Sequence, residues 1–318
     1  MELTWTNYQK MYKRNYDLNS LKLFKDVQSL LLQHGKISDI SPLESLINLR
    51  KLCINRNQIS DISPLASLIK LQELHFYSNQ RVDISPLASL TKLEILDLSS
   101  NQIVDISSLE PLIKLETLGL QGNPIVDISP LQSLVNLKHL DLSHIPTLDI
   151  STFPCLVNLK VLHLTFNEIL DISPLASLLN LEILDLELNN IVDVTPLATL
   201  IKLRELNLNS NEIVDITPLA SLIKLQDLSL YPNSIVDISP LASLVNLKML
   251  TLAENRIVDL SPLATLTKLE ELYLQANEII DVSPLASLTN LKRLSLEFNE
   301  IVDESPLESL HNCEISLN

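Results

Sequence analysis

The feature that most constrains this chain is a pattern that restarts every 22 residues without insertion or deletion. The stretch from Leu203 to Lys224, LRELNLNSNEIVDITPLASLIK, is a typical copy. A segment this short cannot bury its apolar face alone, so the copies must stack into one continuous core. The repeat therefore predicts one elongated domain, a solenoid, although the chain has 318 residues.

Twelve full repeats follow a degenerate repeat that begins at Val27. We predict an N-terminal helical cap over residues 1–26, the solenoid over 27–310 and a C-terminal end over 311–318. Glu304, at a place where other repeats bury Ile or Val, marks the end of the core. Aromatic residues at helical spacing indicate the N-terminal cap: Trp5, Tyr8, Tyr12 and Tyr16. The full repeats begin at Leu49, Leu71, Leu93, Leu115, Leu137, Leu159, Leu181, Leu203, Leu225, Leu247, Leu269 and Leu291.

Two periodicities within each repeat predict its local structure. Leu at the fourth and sixth positions alternates with outward-facing residues, which is typical of a short strand with one buried face. From the eleventh position, Ile213, Ile216, Leu219 and Leu222 recur at intervals of three, which indicates a 3₁₀ segment. Thr217 is the expected N-cap of that segment. The predicted fold class is an α/β solenoid with a parallel β-sheet on the concave face and short 3₁₀ segments on the convex face.

Two polar ladders accompany the core. Asn closes the strand in eleven of the twelve full repeats, where its amide can satisfy backbone groups in the turn. Asp recurs in all thirteen repeats, from Asp39 to Asp303. Calcium needs six or more oxygen ligands, and each repeat offers one fixed carboxylate, so we predict that Asp caps turns and 3₁₀ segments instead.

The residue before each Asp is apolar in a nearly continuous column. An adjacent Ile also needs burial, so this column is predicted to be partly exposed along one flank. Self-stacking is one explanation for it, and a lateral dimer of an otherwise monomeric chain is the alternative. The column comprises Val82, Val104, Val126, Leu148, Leu170, Val192, Val214, Val236, Val258, Ile280 and Val302.

The pattern DISPLASLxxLxxLxLxxNxI, beginning at Asp61, resembles the 22-residue leucine-rich repeat of the bacterial internalins and of the leucine-rich regulatory protein of type-1 protein phosphatase. The resemblance covers roughly residues 27–310. It implies a non-enzymatic scaffold that binds a partner protein through the concave sheet face. A phosphatase regulatory subunit and a secreted internalin-like effector are the alternatives.

Composition excludes several other classes of function. The formal net charge of −16 opposes binding to nucleic acid and to anionic membranes. Three widely spaced cysteines indicate neither a disulfide framework nor a zinc motif, which favours a cytoplasmic location. The N-terminus shows no signal peptide, and secretion or action in a host cytosol is the alternative location. With only three glycines the chain has no phosphate-binding loop, and we predict no cofactor.

The fifth positions of successive repeats offer the best candidate for chemistry. Stacking places Asp97, Gly119, Asp141, His163 and Asp185 in one column, with His139 beside it. A histidine between two carboxylates is compatible with a metal site or a general base, and hence with a hydrolase using Asp141, His163 and Asp185. A charge ladder or a partner contact is the alternative, because no cleft surrounds the column.

We predict a partner-binding site on the concave face, where bulky and charged outward residues gather. Exposed aromatic and aliphatic side chains surrounded by carboxylates are typical of a binding surface, and the partner is expected to be basic. The irregular repeat over residues 137–158 offers an additional bump formed by His144, Ile145 and Pro146. The predicted partner-binding residues are His139, Asp141, Val161, His163, Phe166, Ile183, Asp185, Glu187, Leu188, Glu205, Asp227, Tyr231 and Tyr273.

Overall fold

The computed structural model describes residues 2–4, 18, 23, 26–146 and 148–317. The chain divides into an N-terminal unit, Met1–Leu159, and a C-terminal unit, Lys160–Asn318. Within the segment predicted as a helical cap, Glu2–Thr4 form a strand. The aromatic residues of that segment lie outside the described residues, so the cap stays a prediction.

The N-terminal unit contains a parallel sheet in which each described strand pairs with the next one along the chain. Short 3₁₀ segments lie between strands, at Ser41–Ser45, Ser63–Ser67, Ser85–Ser89, Ser107–Leu109 and Ser129–Ser133, and Ile150–Cys155 follows the last strand. The strands are β1 (Glu2–Thr4), β2 (Ser29–Leu31), β3 (Lys51–Cys53), β4 (Glu73–His75), β5 (Ile95–Asp97), β6 (Thr117–Gly119) and β7 (His139–Asp141).

The C-terminal unit repeats this arrangement with eight described parallel strands. Its 3₁₀ segments are Ser173–Ser177, Thr195–Thr199, Thr217–Ser221, Ser239–Ser243, Ser261–Thr265, Ser283–Ser287 and Ser305–Ser309. The strands are β8 (Val161–His163), β9 (Ile183–Asp185), β10 (Glu205–Asn207), β11 (Asp227–Ser229), β12 (Met249–Thr251), β13 (Glu271–Tyr273), β14 (Arg293–Ser295) and β15 (Glu314–Ser316).

The pairing register places equivalent positions of successive repeats side by side. Glu205 pairs with Asp227 and Leu206 with Leu228, an offset of one repeat. The central Leu of each strand in β2–β14 is buried, while its two neighbours are half-buried or exposed on the opposite face. The predicted parallel sheet and 3₁₀ segments are therefore confirmed, and each outward position forms a column along the sheet of its unit.

The turn into each 3₁₀ segment is held by Asp, which accepts a backbone N–H two residues later, as predicted for the Asp ladder. The Oδ1 atom of Asp215 accepts a hydrogen bond from the backbone N–H of Thr217 at 2.8 Å. The prediction of Thr217 as N-cap is wrong, because Ile216 holds that place without a side-chain cap and Thr217 is the first helical residue. None of the described helices is long and apolar enough to cross a membrane.

The Asn ladder ties neighbouring repeats together through buried amides. The Nδ2 atom of Asn255 donates to the carbonyl oxygens of Leu230, Leu252 and Ala253 at 3.0–3.1 Å. Its Oδ1 atom accepts from the backbone N–H of Ile235 at 3.0 Å. One side chain thus satisfies backbone groups in two repeats, which supports its structural interpretation.

The apolar column before each Asp is exposed as predicted, with Val82 as an exception. Val82 is only 8% exposed, because Arg81 occupies the place of the buried Ile and lies exposed, so Val82 fills the core instead. The expected bump in the irregular repeat is also wrong in part. Ile145 is fully buried where other repeats bury Asn, and only His144 and Pro146 are exposed.

Candidate functional site

The C-terminal unit presents a sheet face formed by the outward third and fifth positions of β8–β14. This face also includes the seventh and eighth positions of each repeat, which follow the strand. Buried Leu at positions four and six fixes these residues outward, because alternate residues of a strand point to opposite faces. Eleven of the thirteen predicted site residues belong to this face: Val161, His163, Phe166, Ile183, Asp185, Glu187, Leu188, Glu205, Asp227, Tyr231 and Tyr273.

The remaining two predicted residues, His139 and Asp141, belong to β7 in the N-terminal unit. The Nδ1 atom of His139 lies 3.4 Å from the hydroxyl of Thr117. Asp141 accepts a hydrogen bond from the backbone N–H of Ser143 at 2.9 Å. Both side chains therefore contact residues of the N-terminal unit.

His163 and Asp185 are neighbours in the register of β8 and β9. Their Nδ1 and Oδ2 atoms are 3.9 Å apart. Burial opposes the charged form of Asp185, but the nearby His163, the hydrogen bond from the Glu187 backbone N–H and the Thr165 side chain outweigh burial and lower the pKa of Asp185. Asp185 is therefore ionised near neutral pH and is a weak general base.

Carboxylates gather in the third-position column farther along the sheet. Glu205 and Asp227 are paired neighbours, and Glu271 follows beyond Met249. These side chains line a shallow hollow of about 460 Å³ together with Arg204 and Lys248 among others. Burial, with repulsion from Glu205 and Glu271, raises the pKa of Asp227. A cation from a partner would relieve this repulsion.

Two tyrosines on the face are oriented by carboxylates. The hydroxyl of Tyr273 donates to Oε2 of Glu271 at 2.7 Å, and that of Tyr231 donates to Oε1 of Glu254 at 3.1 Å. These hydrogen bonds to carboxylates raise the pKa of both tyrosines. The rings are half-buried, so a partner meets fixed aromatic surface at little cost in side-chain entropy.

Apolar side chains lie at the other end of the same face. Val161 and Ile183 are paired in register and half-buried. Phe166 is 54% exposed and Leu188 is 43% exposed. Both have left-handed backbone conformations, with φ of 58° and 54°. A bulky residue in that region is uncommon, so these two side chains are presented to solvent in spite of a local backbone cost.

Sequence reasoning missed several residues of this face. Met249, Glu271 and Arg293 continue the third-position column, and Arg293 forms an ion pair with Glu271 at 3.2 Å. Glu254 was also missed, although it orients Tyr231. Extending the third and eighth positions to the last repeats would have found all four.

On the sheet face of the N-terminal unit, the predicted fifth-position column began at Asp97 and missed Cys53 and His75, which precede it. Cys53, His75 and Asp97 occupy one fifth-position column across β3–β5. His75 lies 3.0 Å from Glu73 and 4.0 Å from Asp97, and these two carboxylates, Asp97 first, raise the pKa of the imidazole against the effect of burial. The column argument that selected His163 would have found this histidine as well.

The Cys53 thiol does not have the properties of a nucleophile. Burial raises its pKa, although Gln33 and Asn55 donate to its sulfur. The carboxylates near His75 raise its pKa, which favours the protonated imidazole. Within the described residues, no group of three His, Cys, Asp or Glu side chains is placed to hold a metal ion.

The in-register columns, buried Asn ladder and 3₁₀ turns define a repeat protein whose short strands and 3₁₀ segments stack repeat on repeat. Models of tandem leucine-rich repeats match residues 25–111, 113–155, 157–199, 201–243 and 245–287. The chain therefore belongs to the leucine-rich-repeat family. No curated protein sequence matches it.

Among solved structures, the repeats of this chain are similar to those of internalins. An internalin of Listeria monocytogenes, InlF, has a TM-score of 0.85 and 38% identity, over 90% of this chain and 85% of that chain. A leucine-rich-repeat protein of Leptospira interrogans has a TM-score of 0.82 and 26% identity, over 93% of this chain and 85% of that one. The predicted resemblance to internalins is confirmed.

A plant peptide hormone receptor, RGFR1 in complex with RGF2, shares the fold at 19% identity. Its TM-score is 0.72, over 92% of this chain and 55% of that chain. Leucine-rich-repeat and internalin-like proteins are typically non-enzymatic, and the fold is typical of scaffolds for protein–protein interaction.

Proposed function

We propose that the chain binds a basic protein partner on the sheet face of its C-terminal unit. The observation that carries this proposal is a strongly acidic unit whose sheet face presents carboxylates beside exposed apolar side chains. The C-terminal unit has nine Lys and Arg against 23 Asp and Glu, a formal charge of −14, whereas the N-terminal unit has 14 against 16, a charge of −2. A partner with clustered Lys and Arg is steered toward such a field.

The two ends of the face have different roles in this proposal. The carboxylates Glu205, Asp227 and Glu271 accelerate association and make it depend on salt concentration. Phe166 and Ile183 enter the dry contact and slow dissociation, because affinity differences within one interface lie mainly in the dissociation rate. Tyr231 and Tyr273 provide rigid aromatic surface of the kind enriched in interface hot spots.

The test begins with partner capture on the immobilised chain and identification by mass spectrometry. Binding kinetics are then measured at two salt concentrations for two double variants. We expect Phe166→Ala with Ile183→Ala to increase the dissociation rate, and Asp185→Asn with Asp227→Asn to lower the association rate mainly at low salt. Unchanged association and dissociation rates in both variants would show that the partner does not bind this face.

A matched control separates the local site from total charge. Asp61→Asn with Asp127→Asn removes the same two charges from the N-terminal unit, outside its sheet. Both side chains accept a backbone N–H through Oδ1, which an amide preserves. This control should leave the association rate within twofold of the unmodified chain.

Identification of the partner also decides between the alternative roles. A phosphatase catalytic subunit in the captured material would favour the regulatory role, and a receptor or host protein would favour an internalin-like effector. We further propose a cytoplasmic location, which the unpaired Cys53, Cys155 and Cys313 support. Fractionation of the producing cells with an antibody against the chain tests it directly.

A further inference from the structure

An exposed apolar ribbon runs along one flank of the C-terminal unit. It is formed by the residue before each ladder Asp, once per repeat. Its exposed side chains are Leu170 (65%), Val192 (48%), Val214 (56%), Val236 (54%), Val258 (47%), Ile280 (47%) and Val302 (82%). Stacking between repeats leaves about half of each side chain in contact with solvent. The ribbon thus offers apolar surface on the order of several hundred Å², comparable to the largest patch on a typical monomer.

The ribbon is exposed because the apolar residues one position before it and two positions after it fill the core. In the repeat that contains Val214, Ile213 is fully buried and Ile216 is 1% exposed. Both are needed to fill the space between neighbouring repeats. The intervening Val214 therefore points outward, and the same alternation holds in the repeats of Val192 and Val236.

Fixed negative charge borders the ribbon on its C-terminal side. Asp193, Asp215 and Asp237 each accept a backbone N–H two residues later at 2.8 Å. Hydrogen bonds from the following Thr or Ser lower the pKa of all three carboxyls, so they remain ionised at neutral pH. On the other side, two positions before the ribbon, Glu occurs in four of the seven repeats: Glu168, Glu212, Glu278 and Glu300.

The charge pattern and the spacing together identify the kind of partner. A second copy of this chain would bring two rows of carboxylates against each other, which is unfavourable. Ribbon residues recur about every 4.8 Å, the distance between strands. An α-helix presents one apolar residue per turn of about 5.4 Å, whereas alternate residues of an extended strand are about 6.6 Å apart. Because 5.4 Å is nearer than 6.6 Å to the ribbon spacing, the side chains of a helix stay aligned with the ribbon residues over more repeats than those of a strand.

We propose that this ribbon docks a basic amphipathic α-helix of a partner protein, with one apolar side chain per turn against the Val column and Lys or Arg paired with the flanking carboxylates. The site is separate from the sheet face, and it does not depend on binding there. As in other helix-recognition modes, the apolar anchors recur at helical spacing.

A designed peptide tests the ribbon without knowledge of the natural partner. The probe is an 18-residue fluorescein-labelled peptide with Leu once per turn, Lys at the flanking positions and Ala elsewhere, about 27 Å long when helical. A scrambled peptide of the same composition keeps the charge and loses the apolar stripe. We expect fluorescence anisotropy with the full chain to show at least tenfold tighter binding of the amphipathic peptide.

Matched variants locate the binding on this flank. Val192→Thr, Val214→Thr and Val236→Thr together keep the side-chain shape and remove three apolar methyl groups, and should abolish most of the tenfold preference. The control changes Ile201, Ile223 and Val245 to Thr, since these residues form a similarly exposed column elsewhere in the same repeats, at 55%, 54% and 45%. It should bind the peptide within twofold of the unmodified chain.

Other outcomes overturn the proposal. Equal affinity for the two peptides, or an equal loss in both triple variants, would leave the ribbon without a docking role. A dimer in sedimentation velocity that the ribbon variant dissociates would identify a second copy as the occupant. Circular dichroism checks that each variant is folded. A third variant, Asp193→Asn with Asp215→Asn and Asp237→Asn, should reduce the salt dependence of peptide binding while preserving the turns.

Discussion

The carboxylate of Asp215 accepts the backbone N–H of Thr217 at 2.8 Å, and the equivalent contact recurs from Asp39 to Asp303 in every described repeat. Each contact fixes the turn that leads into a 3₁₀ segment, where the first backbone N–H groups have no helical partner. The Asp ladder is therefore a row of turn caps, as the sequence predicted, and calcium is not needed to explain it.

The first prediction concerns acid. Hydrogen bonds from the Thr217 side chain and backbone N–H hold the pKa of Asp215 below its ordinary value. A depressed pKa contributes stability that is present above the unfolded-state value, about 3.9, and is lost as pH falls through the folded-state pKa. Asp215→Ala should therefore lower the Tm at pH 7 and have less effect at pH 3.

Asp215→Asn is the control for this prediction. The amide keeps an Oδ1 acceptor for the Thr217 N–H, so its Tm at pH 7 should fall less than that of the Ala variant. It also removes the repulsion that Asp215 exerts on Asp193 and Asp237. Thermal unfolding followed by circular dichroism at both pH values measures the difference, and an equal loss in the two variants would contradict the capping role.

Most of the fold was predictable because burial in a repeat is periodic. Leu206 and Ile213 recur at fixed positions, and a period of 22 leaves no freedom in the register. The exchange between Arg81 and Val82 was not predictable from periodicity, since it depends on which of two adjacent residues fills the core. The left-handed conformation at Phe166 and Leu188 also escaped prediction, because side chains of this kind do not signal a positive φ.

The second prediction concerns coupling between repeats. Leu206 is 2% exposed in the core of the C-terminal unit. Leu206→Ala should cost about 2–5 kcal/mol, because truncation leaves a cavity that neighbours fill only in part. Each repeat contacts only its neighbours, so the loss is local and unfolding should no longer be a single transition.

Urea denaturation followed by circular dichroism checks this second prediction. The exposed Val214→Thr serves as the control and should keep the midpoint within experimental error. A Leu206→Ala chain that unfolds in one sharp step with an unchanged denaturant slope would show stronger coupling than the nearest-neighbour description allows.

The third prediction concerns His75 on the sheet face of the N-terminal unit. The carboxylate of Asp97, 4.0 Å away, followed by that of Glu73 at 3.0 Å, raises the imidazole pKa against the effect of burial. A raised pKa contributes stability that is fully present below the unfolded value, about 6.5, and is lost as pH rises through the folded value. Asp97→Asn should therefore lower the His75 pKa, as read from the imidazole proton shifts in an NMR titration.

His163 provides an internal comparison for that titration. It faces Asp185 at 3.9 Å in the C-terminal unit, and Asp97→Asn leaves that pair intact. Its titration midpoint should be the same in both proteins. A His75 midpoint that also stays unchanged would show that Glu73, and not Asp97, governs the charge of that imidazole.

The last prediction uses the left-handed eighth position of a repeat, which recurs after most of the strands. Ser210 has a φ of 52°, and its backbone N–H donates to the carbonyl of Tyr231 at 3.0 Å. A residue with a Cβ pays about 1–2 kcal/mol in this conformation, whereas glycine adopts it freely. Glycine also gives the unfolded chain about 0.4–1 kcal/mol more entropy to lose. The backbone relief is larger, so Ser210→Gly should stabilise the chain by about 0.5 kcal/mol.

Ser234→Gly is the control, because it makes the same substitution at a position where φ is not positive. It is half-buried like Ser210, and its backbone N–H is also bonded, to the carbonyl of Ile213 at 2.9 Å. Ser234→Gly gains no relief of strain and loses only entropy, so it should destabilise the chain by about 0.5–1 kcal/mol. Denaturation midpoints that move in opposite directions for the two variants would confirm that backbone conformation decides the sign. Shifts in the same direction would mean that the left-handed turn carries no measurable strain at Ser210, and the exposed Phe166 and Leu188 would then be held there without a backbone cost.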